Sequence, residues 1–147
     1  MLQNPDEYYM RLALGEAKAA LQNDEVPIGA IVVCNGKIIG KGYNQVEQLI
    51  DATAHAEMLA ITAASNYLGS KFLENCTLYV TLEPCLMCAT AIKWSRVENL
   101  VFGAHDEKAG FSKYGDNILH PKTTVKSGVL ADECALLLKQ FFSEKRK

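Results

Sequence analysis

Two short segments constrain this chain more than anything else in it. They are Thr53-Ala54-His55-Ala56-Glu57 and, beginning just before the residue thirty places after His55, Pro84-Cys85-Leu86-Met87-Cys88. The β-branched and apolar run Thr77-Leu78-Tyr79-Val80-Thr81 leads into the second segment. Pro84 suits the first position of a helix, where a missing N–H is no loss. Cys85 and Cys88, three residues apart, then share one face of the opening turn. There the helix dipole and the free N–H groups favour thiolate, the form that binds metal. His55 supplies a third ligand from a separate element. Three nitrogen and sulfur ligands leave one tetrahedral position for water, the arrangement of a catalytic rather than a structural zinc. Glu57 follows His55 by two, a spacing that does not share a face along a regular helix. In a first turn, however, side chains lean toward the N-terminus. The Glu57 carboxyl can therefore reach the open position without ligating the metal, as a general acid/base requires.

The rest of the chain must bring two helix starts to one place. Its 147 residues suit a single domain, 1–147, with material for one core. Hydrophobic residues make up 49% and charged residues 22%, the balance of ordinary globular chains. The first residues, Met1 to Glu7, are polar and lack a basic start, so no signal peptide is expected. No apolar run approaches a membrane span. Five cysteines, an odd number, argue against a disulfide framework and for a reducing, cytoplasmic setting. Cys34, Cys76 and Cys134 are expected to be buried thiols. The net charge of −2 gives no global field toward nucleic acid. The end of the chain, with Lys139, Lys145, Arg146 and Lys147, is locally basic and is expected to be free to follow a phosphate backbone.

Hydrophobic periodicity predicts a helix over 6–21, capped by Asn4 or Asp6 and opened by Pro5. Strands are expected over 28–34 and 37–43, joined by an Asn35-Gly36 hairpin turn. A second helix spans 54–67, with Thr53 as N-cap and Gly69 after its end. A third strand over 76–81 leads into a third helix over 84–94, and a fourth strand covers 99–104. Residues 105–122 are long, Gly-containing and aperiodic, as functional loops often are. A fifth strand within 123–129 and a last helix over 130–142 complete the order. A hairpin followed by strand–helix alternation implies one mixed sheet with helices on both faces, an α/β fold. Phe111 and Tyr114 are candidates to stack on a base. Trp94 is expected at an interface or in the core.

His-x-Glu followed by Pro-Cys-x-x-Cys is the signature of the zinc-dependent nucleobase deaminases. Beyond it, nearly the whole chain resembles the bacterial tRNA adenosine deaminases. The segments that carry the resemblance are 24–30, Gly42-Tyr43-Asn44, 53–57, 77–85, Val101-Phe102-Gly103-Ala104 and Leu130-Ala131-Asp132-Glu133-Cys134. The chain departs from the family's usual pattern at Ala52 and across 105–114. The resemblance implies a cytidine-deaminase-like three-layer α/β/α sandwich with a five-stranded mixed sheet. It implies one zinc ion per chain on His55, Cys85 and Cys88, with Glu57 moving protons. It implies a homodimer that deaminates the wobble adenosine of a tRNA anticodon stem-loop to inosine. It also implies that Asn44 hydrogen-bonds the target base, that Ile28 and Leu82 form pocket wall, and that Asp106 lies near the target nucleotide. Two other readings stand beside this one. The same zinc chemistry serves deaminases of free bases or nucleosides such as guanine and cytosine. A non-catalytic zinc-binding RNA module shares the ligands but has no need of Glu57.

Overall fold

The computed structural model describes residues 4–145, so residues 1–3 and the basic Arg146 and Lys147 lie outside the described residues. The chain order is α1 (Pro5–Gln22), β1 (Gly29–Cys34), β2 (Lys37–Tyr43), α2 (Ala56–Leu68), β3 (Cys76–Leu82), α3 (Leu86–Trp94), β4 (Asn99–Ala104), a short 3₁₀ turn (Phe111–Tyr114), β5 (Thr124–Lys126) and α4 (Ala131–Lys145). The five strands form one sheet in the order β2-β1-β3-β4-β5. β1 pairs antiparallel with both β2 and β3, while β3, β4 and β5 run parallel. This is the mixed sheet that a hairpin followed by strand–helix alternation requires.

Alternation along the strands sorts the core into two halves. Ala30, Val32, Leu78, Val80, Leu100 and Phe102 face α2 and α3, where Ala60, Ala64 and Ile92 close the layer. Ile31, Val33, Tyr79 and Val101 face the other side, against Met10 and Leu14 of α1 and Cys134 of α4. Among the described residues, no helix is long and apolar enough to cross a membrane.

Local chemistry explains where the elements start and stop. Asn4 caps α1, its Oδ1 accepting from the Asp6 N–H at 2.9 Å, and Pro5 opens the helix. Asn35 and Gly36 both take positive φ, 51° and 75°, as a tight hairpin turn demands. Gly69, in the left-handed conformation, ends α2. The alanine side of α2 packs directly on the hairpin. A Cβ on Gly42 would stand 2.5 Å from the Ala56 carbonyl oxygen, so only glycine lets the first turn of α2 sit so close to β2.

Several expectations from sequence are corrected. Thr53 is not the cap of α2, because its N–H and hydroxyl both donate to Asp51 Oδ1 at 2.8 Å; the N-cap is His55 itself. α3 begins two residues later than Pro84. The Phe111 N–H donates to the Pro84 carbonyl at 2.9 Å and Cys85 bridges to Gly110, which holds this stretch extended and makes Cys85 the N-cap. β5 is only three residues and wholly exposed, and the left-handed Gly128 turns the chain away after it. α4 runs on through Lys145, so 143–145 are helix and not a free tail. Lys145 pairs with Asp24 at 2.9 Å. Phe111 is buried edge-on against Phe102 and cannot stack on a base, whereas Tyr114 is half exposed. Trp94 is 77% exposed, which excludes it from the core. Cys76 and Cys134 are buried, but Cys34 is only partly so.

Candidate metal centre and its cavity

Two helices begin on the same face of the sheet, and their N-caps meet. His55 caps α2 and Cys85 caps α3, both with extended backbone and neither using its side chain to cap its helix. Each side chain is thereby left to point at the other. His55 Nδ1 lies 3.6 Å from Cys85 Sγ and 3.5 Å from Cys88 Sγ, and the three donor atoms all lie within 4.8 Å of one another. A tetrahedral zinc with ordinary Zn–S and Zn–N bonds separates nitrogen from sulfur by about 3.6 Å. The donor set therefore fits zinc in both chemistry and spacing. Cys88 is fully buried, whereas His55 and Cys85 are partly open.

The protonation pattern shows what a cation would replace. Hydrogen bonds from the Cys88 thiol and from His55 pull the Cys85 thiol down to about 4. Cys88, whose proton is held by that neighbour, is pushed up. The hydrogen bond to Cys85 raises His55, against the opposing effect of its burial. The three donor atoms thus share protons among themselves. A dication displaces those protons and takes both sulfurs as thiolates.

Glu57 lies in the first turn of α2 and is 4% exposed. Burial pushes its carboxyl up to about 7, with Cys85 and Cys88 close enough to act on it.

A cavity of about 990 Å³ opens beside this cluster. Ile28, Asn44, His55 and Ala56 line it on the sheet side, and Phe141, Phe142 and Lys145 of α4 line the opposite wall. Asn44 is 7% exposed, and both hydrogen bonds of its amide are long, at 3.4 Å, one to the Val26 carbonyl and one from the Val46 N–H. Leu82 and Asp106, also singled out from sequence, are not among the lining residues. Leu82 packs at the edge of the core beneath α1 and α4. Asp106 starts the loop after β4 and caps its own turn, Oδ1 accepting from Lys108 and Ala109 at 3.1 Å.

Two buried acids escaped the sequence reading. Glu25, 2% exposed, accepts from the Glu47 and Gln48 N–H groups at 3.1 and 2.6 Å and so fixes the loop that follows Asn44. Glu83, 4% exposed, does the same for the loop after β4. Neither carries a sequence signal beyond being an acid within two residues of a proline, because their partners are mainly backbone groups distant in the chain. The wall supplied by Phe141 and Phe142 was equally hidden, as those residues read only as packing for a last helix.

Residues 3–104 match the cytidine and deoxycytidylate deaminase zinc-binding region. The chain is 50% identical over 147 residues to the tRNA-specific adenosine deaminase of Bacillus subtilis (strain 168), covering 97% of this chain and 91% of that protein. A structure solved in a study of A-to-I editing by tRNA:A34 deaminases at the wobble position superposes with a TM-score of 0.84 and 42% identity, over 89% of this chain and 99% of that one. The guanine deaminase of Nitrosomonas europaea shares the fold at a TM-score of 0.82 but only 28% identity, over 97% and 87% of the two chains.

Proposed function

The chain belongs to the family defined by the cytidine and deoxycytidylate deaminase zinc-binding region, and from that premise we propose that it hydrolyses adenosine to inosine at the wobble position of tRNA. One observation carries the chemistry: two helix N-caps and a buried thiol converge beside a protonatable, water-excluded glutamate at the edge of a cavity large enough for a nucleotide. Likeness to tRNA-specific adenosine deaminases at 50% identity over nearly the whole chain, against 28% for one guanine deaminase and 38% over only 67% of the chain for another, favours the tRNA substrate.

His55, Cys85 and Cys88 hold zinc, which when bound supplies Lewis-acid activation of water near neutral pH. Glu57 is the catalytic acid/base. Its carboxyl, poised near neutrality by burial, accepts a proton from the attacking water, delivers it to N1 of adenine as C6 becomes tetrahedral, and then takes the remaining hydroxyl proton at C6 and passes it to the departing amine. Adenosine and water thus become inosine and ammonia with no other reactant. The long amide bonds of Asn44 are weak enough to be exchanged for bonds to the base edge. Ile28 supplies apolar wall, and Asp106, on the loop outside this cavity, meets the neighbouring nucleotide. The target base must leave its stack to reach this depth, which costs less in an anticodon loop than in a duplex.

The single domain works as a homodimer in the cytoplasm. Leu86 and Trp94 on α3, with Tyr67 and Leu68 at the end of α2, are exposed apolar residues suited to a subunit contact. The decisive experiment incubates the zinc-loaded protein with an anticodon stem-loop bearing a wobble adenosine, and in parallel with adenosine, guanine and cytosine. Inosine in the stem-loop and matching ammonia are expected. Ready turnover of guanine or cytosine with the stem-loop untouched replaces this reading by the small-molecule one. RNA binding without ammonia from any substrate leaves a non-catalytic module.

A further inference from the structure

The loop between β4 and the 3₁₀ turn is closed by one carboxylate. Glu83 Oε1 accepts from the Asp106 N–H at 3.0 Å and faces His105 Nδ1 at 3.3 Å, both at the loop's start. Its Oε2 accepts from the Ser112 N–H at 2.9 Å and from the Ser112 hydroxyl, both at the loop's end. Between those ends the chain folds on itself. The Gly110 N–H donates to the Asp106 carbonyl at 2.8 Å, and the Lys113 Nζ donates to the Lys108 carbonyl at 2.8 Å. Gly110 makes room for the clamp: a Cβ there would lie 2.4 Å from the Glu83 carboxyl carbon and from Oε1. The buried ring of Phe111 and its N–H bond to the Pro84 carbonyl press the loop onto the segment that enters α3.

Both oxygens of the Glu83 carboxylate are thus occupied by donors from the two ends of the loop. A charged acceptor with donors at both oxygens is a strong and geometrically specific tie. It springs from the residue between β3 and the Pro84-Cys85 turn. The position of the loop is therefore fixed relative to the metal ligands themselves.

We infer that Glu83 is a positioning residue: it sets the 105–112 loop, and with it Asp106, in register with the metal centre, so that the nucleotide flanking the target meets a preformed wall. The inference rests on the tRNA reading proposed above. Glu83 has no part in proton transfer. Its loss should loosen substrate binding and leave the metal and the chemical step in place.

The test uses zinc-loaded Glu83→Gln, Ser112→Ala and Ser112→Thr. An amide keeps one acceptor oxygen, so whichever way it turns, its NH₂ group faces donors at one end of the loop. In Glu83→Gln, hydrogen exchange should quicken at the amides of Asp106 and Ser112 while those of α2 and α3 are unchanged, and zinc should remain stoichiometric. The KM for the stem-loop should rise about tenfold with kcat within about threefold, the mark of lost binding rather than lost chemistry. Ser112→Ala, at an exposed residue whose removal spares the fold, should raise KM about threefold, and Ser112→Thr should restore it by returning the hydroxyl. An unchanged KM and unchanged loop exchange in zinc-loaded Glu83→Gln overturns the inference, as does a parallel loss of zinc and kcat. If Glu83→Gln does not fold, an unchanged KM in Ser112→Ala overturns it instead. Wild-type protein that leaves the stem-loop unedited sinks the tRNA reading and the substrate role of the loop with it, while the exchange data still decide whether Glu83 holds the loop.

Discussion

The site has two sides, built on opposite principles. On one side, His55, Glu57, Cys85 and Cys88 stand on the first turns of α2 and α3, and those helices rest on the sheet through alanine–glycine contact and a continuous apolar layer. On the other, the segments 44–54 and 105–123 have almost no regular structure, and each is held by the carboxylate of one buried acid, Glu25 or Glu83. On the function proposed above, the difference separates chemistry from recognition. Metal ligands need placement to a fraction of an ångström, which helix starts on a packed sheet provide. A surface that meets RNA can vary in loop sequence as long as a buried acceptor gathers the backbone N–H groups.

This contrast predicts a graded set of effects. Cys88→Ser strikes the helix side directly. Zinc content should fall below stoichiometry and editing by at least about a thousandfold, the scale of losing the metal's contribution; full zinc by metal analysis would show that two ligands suffice. Glu57→Gln should keep the zinc and the thermal midpoint but lose at least about a hundredfold in kcat. Retained turnover would assign the proton to another group.

The loop side should respond in binding. Glu25→Gln leaves one of the Glu47 and Gln48 N–H groups poorly matched, costing about 1–3 kcal/mol of local order. The stem-loop KM should rise with zinc unaffected, and a fall in zinc content instead would erase the distinction between the two sides.

The smallest effect concerns the far end of the second loop, where Lys126 of β5 pairs with Asp6 at 2.7 Å and Tyr79 donates to the same carboxylate. Burial raises Asp6, but those two partners more than offset it, so its folded pKa is lowered. A lowered carboxylate stabilises the fold above its unfolded value, about 3.9, and that contribution vanishes as pH falls through the folded value. Lys126 is more than half exposed, so screening limits the effect to about 1 kcal/mol or less. Melting curves should show wild type losing more than Asp6→Asn between pH 5 and pH 3, as estimated from about one unit either side of that value. Parallel curves would show that the tie contributes nothing.

Sequence alone determined the chemistry and the order of elements. The donor types, their spacing and the apolar periodicity are local properties, and the Asn4 cap of α1, the Asn35-Gly36 turn and the strand runs are read within a few residues. His55, Cys85 and Cys88 were legible because a catalytic zinc set needs those types near helix starts. Tertiary structure decided which residue begins α2 and α3. Thr53 yields the cap to His55 because Asp51 takes its hydroxyl, and Pro84 is held extended by Phe111 and Gly110, partners more than twenty residues away, as estimated from chain separation. It also decided that Phe111 is core, that Lys145 is paired and that Glu25 and Glu83 are clamps. A carboxylate that binds backbone N–H groups leaves no pattern in its partners, because every residue but proline carries the same donor. Such contacts exist only once the sheet has brought distant loops to one edge.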